Sequence, residues 1–358
     1  MELSPYKLLA ERLNALPDGF PPTEDGAELR LLQLLFTPEE AQLSAQLRLT
    51  KETSNEIASR LELDHKTTRD LLKKMSHKRL ISAGKVEGGI GFGLEPFVVG
   101  IYEFQYARID KEFAQCFEEY YQQAFSTVLD VKPQFHRVIP VNETVDIDME
   151  VLPFESVTSL IDQANSWGVL DCICRKQKEF IGDPCDHPLD VCMALNERPG
   201  AFEGNPAIRA LDRDGAYAAL RRAADAGLVH SISNKQDGHW YICNCCTCSC
   251  GILRGMAEMG VANVIARSPF VSSVDDDLCT SCEICSDYCQ FEAITFQEIA
   301  VVDRNRCVGC GLCALHCPDE AMTLERRPSE EVLPVPETIA EWRMERAAAR
   351  GIKMDDVL

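Results

Sequence analysis

The sequence predicts a multidomain α+β protein, and three observations lead to that fold class. Helix-start signatures at Thr37, Thr53 and Asp64 are followed by the glycine-rich run "SAGKVEGGIGFGL", a pattern of short helices closed by a hairpin. Strand-like apolar runs then mix with amphipathic helical stretches through the middle of the chain. Finally, the second half is dense in cysteine and contains a segment that repeats itself at an offset of 28 residues. A chain of 358 residues is long enough for two or three buried cores.

The first module is expected over 1–95. Thr37-Pro38-Glu39-Glu40 is a capping box with proline in the first turn, and Thr53-Ser54-Asn55-Glu56 is a second box opening "EIASRLEL". Asp64 is the third N-cap, before "HKTTRDLLKKMSHKRLI". Helix, short turn, helix and two-stranded flap resemble a winged helix, with Leu61, Leu71, Leu72, Met75 and Leu80 as its core. "GGIGFG" lacks the dinucleotide spacing, and a wing hairpin accounts for it. Lys66, Arg69, Lys73 and His77 fall along one face of the second helix, and 51–85 carries nine Lys and Arg against five Asp and Glu. That face is compatible with DNA. Winged helices also dock proteins and dimerise, so a homodimer through this module is an alternative use.

An α/β connector is expected over 96–166. "FVVGIYEFQ" reads as a strand, "DKEFAQCFEEYYQQAF" as a helix, and "FHRVIPV" and "VDIDMEVLPF" as further strands. Cys116, alone on that helical pattern, reads as a buried small apolar residue.

The cysteine-rich middle domain is expected over 167–270. "LDCICRKQKEFIGDPCDHPLDVCMAL" carries Cys172, Cys174, Cys185 and Cys192, and "YICNCCTCSCGIL" carries Cys243, Cys245, Cys246, Cys248 and Cys250. Nine thiols allow two four-thiolate sites with one left over, or one site with several spare. In an extended chain Cys243 and Cys245 point one way and Cys246, Cys248 and Cys250 the other, so five thiolates do not converge from this segment alone. The segment is therefore expected to share a site with the upstream cysteines, or to touch two sites at once. Iron–sulfur chemistry is favoured over zinc, because Cys-x-Cys pairs fit zinc knuckles less naturally and iron ligands lie downstream. Arg175 and Lys176 could offset a reduced cluster's charge, and His187, His230 and His239 could replace a thiolate. "DRDGAYAALRRAADAGLVH" reads as a packing helix from Asp212, closed by Gly227.

In 271–327, "DDLCTSCEICSDYCQFEAIT" and "RNRCVGCGLCALHCPDEAMT" each read Cys-x2-Cys-x2-Cys-x3-Cys. This stretch closely resembles a two-cluster 4Fe–4S ferredoxin. The resemblance implies one cluster on Cys279, Cys282, Cys285 and Cys317, and another on Cys307, Cys310, Cys313 and Cys289. Pro318 follows the last cysteine as in the family, but Gln290 stands at the matching place in the first repeat. A helical tail is expected over 328–358. The whole layout is similar to ferredoxin-like dicluster proteins of anaerobic bacteria, in which a winged-helix-like start and a Cys-x-Cys-Arg segment precede the ferredoxin domain.

Net charge is −21, which argues against nonspecific affinity for nucleic acid or anionic lipid over most of the surface. The 271–327 stretch holds eleven acidic residues against four arginines, a surface suited to transient docking on a basic redox partner. The start lacks a basic segment followed by a long apolar run, and no apolar segment approaches a membrane span. Reduced thiols in a cytoplasmic setting are the expectation. The leading functional expectation is an electron-transfer protein with two ferredoxin clusters and one or two more in the middle domain. The alternatives are a redox-sensing DNA-binding regulator and a reductase with a site-differentiated cluster.

Overall fold

The computed structural model describes residues 4–141, 144–145, 151–261 and 264–356. The chain divides into two units, one comprising Met1–Lys132, Gln177–Asp183 and Arg343–Leu358, the other Pro133–Lys176 and Pro184–Trp342.

In the first unit, Ser4 caps α1 (Pro5–Asn14), α2 spans Ala27–Leu35 and α3 spans Pro38–Ser44. Then come β1 (Glu52–Thr53), α4 (Ser54–Arg60), α5 (His65–His77), β2 (Ile81–Val86) and β3 (Gly89–Leu94). Both capping boxes form, and Asp64 accepts the Thr67 N–H at 2.9 Å. Each cap satisfies helix-end amides that would otherwise lack a partner, contributing about 1 kcal/mol. The strands form an antiparallel sheet in the order β1-β3-β2, with Phe92 paired to Glu52 on one side and Ala83 on the other. Leu72, Met75 and Leu80 are fully buried, together with Ile57, whereas Leu61 and Leu71 are only half-buried.

Residues 97–105 do not form the expected strand. Successive turns are closed by Ile101 N–H to Pro96 O, Tyr102 N–H to Phe97 O and Gln105 N–H to Tyr102 O. The apolar residues that suggested a strand serve another purpose: Phe97 and Tyr102 enter an aromatic core with Phe20, Phe117 and Tyr120. The Tyr102 and Phe117 rings stack at 3.9 Å. That core is built on α6 (Lys111–Tyr120), which α7 (Ser126–Leu129) follows. Cys116 is buried on α6, its Sγ 3.6 Å from the Ala27 carbonyl. The tail forms the helix Ile339–Ala349. Its Arg346 is fully buried in this unit and donates to the carbonyls of Pro17, Val128 and Val131, so the helix is anchored, not free.

In the second unit the elements are β4 (His136–Val138), α8 (Val157–Gln163), β5 (Ser166–Leu170), the first half of α9 (Ile173–Phe180), β6 (Cys192–Asn196), β7 (Arg209–Leu211), α10 (Arg213–Asp225), β8 (Val229–Ser233), β9 (Tyr241–Cys245) and α11 (Arg254–Met259). Of the expected strand 145–154, residues 146–150 lie outside the described residues, and Pro153–Glu155 forms a helical turn. Six strands pair antiparallel in the order β4-β8-β9-β6-β5-β7. Leu160 and Ile161 of α8 and Ala216 and Leu220 of α10 pack with Met193, Leu195, Ile232 and Ile242 of the sheet. Asp212 caps α10 and Gly227, at φ 73°, ends it.

The unit continues with β10 (Phe270–Val274), α12 (Ile284–Asp287), β11 (Ile294–Phe296), β12 (Ala300–Val302), α13 (Leu312–Leu315) and β13 (Met322–Arg326). β10 pairs with β13 and β11 with β12, both antiparallel.

Candidate metal centres

The two cysteine repeats match in backbone as well as in sequence. At the offset of 28, φ is 55° at Ser281 and 69° at Gly309, 65° at Glu283 and 81° at Gly311, and 48° at Glu292 and 53° at Glu320. Left-handed residues between the cysteines fold each loop back on itself, so that successive thiols face one centre. Glycine is required in the second repeat: a Cβ on Gly309 would lie 2.1 Å from the Phe270 carbonyl oxygen.

The repeats interlock. Cys279, Cys282 and Cys285 share a cavity with Cys317, closed by Phe296 and Met322 and enclosing about 290 Å³ of non-protein space, part of it open to solvent. Cys289 of the first repeat instead lies in the electrostatic surroundings of Cys307, Cys310 and Cys313. Burial pushes the Cys285 thiol up to about 11 and Cys313 up to about 12, so a bound metal must drive their deprotonation. Ser272 serves the second set, its N–H 3.5 Å from Cys307 Sγ and its hydroxyl 3.0 Å from Cys313 Sγ. Four thiols around a cavity fit a 4Fe–4S cubane. The first set faces solvent through exposed Cys282, with Glu283 and Asp319 on its rim, whereas Cys307 and Cys313 of the second are buried.

The middle cysteines come together through strand register. Pairing of Leu170 with Cys192 and of Met193 with Ile242 sets the ends of β5, β6 and β9 side by side. Cys172 lies in hydrogen-bonding reach of Cys174 and Cys192, and Cys192 in reach of Cys243. Cys243 reaches Cys245, Cys245 reaches Cys250, and Cys250 reaches Cys174. Six thiols thus close a ring. S–H donation from Cys174 and Cys192 holds Cys172 well below its ordinary pKa, and donation from Cys243 and Cys250 brings Cys245 down to about 6.

Cys246 turns away from that ring. Cys185, His187, Cys246 and Cys248 form a second group whose ligand atoms all lie within 4.8 Å of one another. The Cys248 hydrogen bond, then His187 and Arg175, bring the Cys246 thiol down to about 3.

Arg175 stands between the two groups. It is buried, it donates to the Asn244 carbonyl at 3.0 Å and to Cys246 Sγ at 3.4 Å, and its Nε and Nη1 have no partner. The thiolates of Cys172, Cys246 and Cys192 surround its charge. Lys176 differs, pairing with Asp171 at 3.5 Å. Behind the ring, Ser231 Oγ lies 3.8 Å from Cys245 Sγ and 3.4 Å from His136 Nδ1, and His136 Nε2 meets the Tyr241 hydroxyl at 2.8 Å. His230 Nδ1 meets Asn244 Oδ1 at 2.5 Å, and His239 Nδ1 lies 3.3 Å from Ser233 Oγ, so neither histidine joins a thiol group.

Gln290 links the ferredoxin repeat to the middle module. Its Oε1 accepts the Thr247 N–H at 2.7 Å, and its Nε2 donates to the carbonyls of Gly227 and, at 3.4 Å, Cys245. Cys310 O accepts the Val141 N–H at 2.9 Å, and the Tyr288 ring stacks on His316 at 3.5 Å while His316 Nε2 lies 3.1 Å from Ala224 O. The sequence marked Gln290 only as a departure from proline; its being a hydrogen-bonding side chain in place of a ring was the available signal. Nothing in the sequence marked Ser272 or Asn244.

In the first unit Lys66, Lys73 and His77 are exposed and Arg69 pairs with Asp70 at 3.5 Å, while Lys74 and Lys78 pair with buried Glu40. Among the described residues no helix is long and apolar enough to cross a membrane. A family model described as "4Fe-4S binding domain" matches residues 273–295 and 300–323, which contain all eight repeat cysteines from Cys279 to Cys317. No curated protein matches the chain.

Proposed function

We propose that the protein relays single electrons from a docking partner through the ferredoxin repeat into a further iron–sulfur group held by the six-thiol ring. The observation that carries this reading is the Gln290 link, which ties the residue after Cys289 to the backbone of Cys245 and Thr247. A 4Fe–4S binding domain supplies one-electron carriers when loaded. Cys279, Cys282, Cys285 and Cys317 would hold the cluster on the solvent side, beneath the acidic rim where a basic partner docks. Cys307, Cys310, Cys313 and Cys289 would hold the interior one. The ring of Cys172, Cys174, Cys192, Cys243, Cys245 and Cys250 offers more thiols than a cubane needs, and the unpaired Arg175 N–H groups would donate to its sulfurs and offset their charge.

The test is anaerobic redox titration followed by electron paramagnetic resonance. Three one-electron centres with mutual spin coupling are expected. Two centres alone would leave an ordinary ferredoxin domain.

A second reading uses the first unit. The order α3-β1-α4-α5-β2-β3 supports a winged-helix reading, and the exposed Lys66, Lys73 and His77 face would let such a module act as a redox-responsive DNA reader, alone or as a dimer. Gel-shift titration with duplex DNA of oxidised and reduced protein distinguishes it; equal and salt-insensitive mobility in both states would exclude it.

A further inference from the structure

We propose that Cys185, His187, Cys246 and Cys248 bind a single tetrahedral zinc ion, a site separate from the iron–sulfur ligands. The first argument is size. Around one zinc ion with metal–sulfur bonds of about 2.3 Å, ligand atoms stand roughly 3.8 Å apart. The thiolates of a cubane stand on four different irons and are farther apart by about the metal–metal separation. The four ligand atoms here lie within 4.8 Å of one another, with Cys248 Sγ 3.8 Å from His187 Nδ1. Among the described residues neither ferredoxin set gathers three thiols so closely, although both are complete four-cysteine sets. The same fold therefore presents two kinds of spacing, and this one suits a mononuclear site.

The donors agree. Three thiolates and one imidazole are a closed ligand set for borderline-soft zinc, with no position left for substrate or water. The sequence objection, that Cys-x-Cys spacing suits zinc poorly, applies to ligands taken from one knuckle. Here the Cys-x-His pair comes from the irregular segment after α9 and the Cys-x-Cys pair from the segment after β9. Each pair contributes one edge of the tetrahedron, and the ion would fasten two segments that lack regular secondary structure. Charge balances as well. Zinc with three thiolates and a neutral imidazole carries a net charge of −1, which the Arg175 guanidinium, 3.4 Å from Cys246 Sγ, neutralises.

This inference does not depend on the relay, since zinc could bind whether or not the ring holds iron. The full-length protein is to be isolated anaerobically and its zinc, iron and acid-labile sulfide measured per chain. Zinc K-edge absorption then reads the shell of the unaltered protein. The expectation is about one zinc with three sulfurs and one nitrogen, and loss of at least nine-tenths of it in Cys248→Ser and His187→Ala with iron and sulfide unchanged. Absence of zinc, a different shell, mononuclear iron in its place, or loss of about four irons in Cys248→Ser would overturn the assignment. If a variant fails to fold, the absorption spectrum of the unaltered protein still decides.

Discussion

The ferredoxin repeat and the middle module both gather thiols, but they do so by opposite means. In the repeat, two residues between cysteines and a left-handed backbone at Ser281, Glu283, Gly309 and Gly311 aim three sulfurs from one loop, and a single exchange of Cys289 and Cys317 completes each set. In the middle module no segment contributes more than three members of the ring, and assembly waits on the register of β5, β6 and β9. The thiols differ accordingly. Burial is the leading cause at Cys285 and Cys313, whereas in the ring shared S–H bonds dominate, lowering Cys172 and Cys245 and raising Cys174, Cys192 and Cys243. A local motif carries its own geometry; a site assembled by tertiary pairing depends on the whole sheet.

The largest expected effect separates the two regions by metal content. Cys245→Ser should remove about four irons and leave about eight, while Cys282→Ser should cost iron only from the repeat. Loss of all iron in Cys245→Ser would mean that the repeat cannot load alone, and the contrast between local and assembled sites would fail.

Next is the link. Gln290→Pro restores the residue found at the equivalent place in the second repeat and removes three hydrogen bonds, at a cost of about 2 kcal/mol in thermal stability. Iron content should hold, while reduction of the middle centre by a reduced partner slows at least tenfold in stopped-flow. Unchanged kinetics would dissociate Gln290 from the relay.

Arg175→Gln removes the buried cation between the two thiol groups. The middle centre's midpoint should fall by about 60 mV, a tenfold change in its reduction equilibrium, with both repeat centres unmoved. An equal shift in all three would point to a general structural change.

The smallest effect is a pH dependence. Burial lowers His136 from its ordinary value to about 3, so the folded protein resists a proton that the unfolded chain accepts near 6.5. The stability contributed by keeping this ring neutral is present above about 6.5 and is lost as pH falls toward 3. The thermal midpoint of the middle module should drop over that window, and His136→Gln should flatten the slope. A slope unaltered by the substitution would assign the acid sensitivity elsewhere.

How much could be read from the sequence follows the same division. The capping boxes at Thr37 and Thr53, the Asp64 cap and the helix opened by Asp212 were legible because each is a contact between residues three apart. The repeat was legible because its spacing is its geometry. The run 97–105 misled because Phe97 and Tyr102 suit a strand and an aromatic core equally well, and only their partners Phe20 and Phe117 decide. The parity of Cys243 and Cys245 against Cys246 and Cys248 was visible, but which upstream cysteine joins which group rests on strand pairing that no local pattern encodes. His187 stood out no more than His230 or His239 as a residue that could replace a thiolate, because its three partners lie in another segment or two positions away.

The most direct test of the account is the iron and acid-labile sulfide content of the full-length protein isolated without oxygen. The ring and the repeat together predict clearly more than eight irons per chain, close to twelve, with matching sulfide. A value of about eight, with the ring thiols alkylated freely by iodoacetamide, would contradict it.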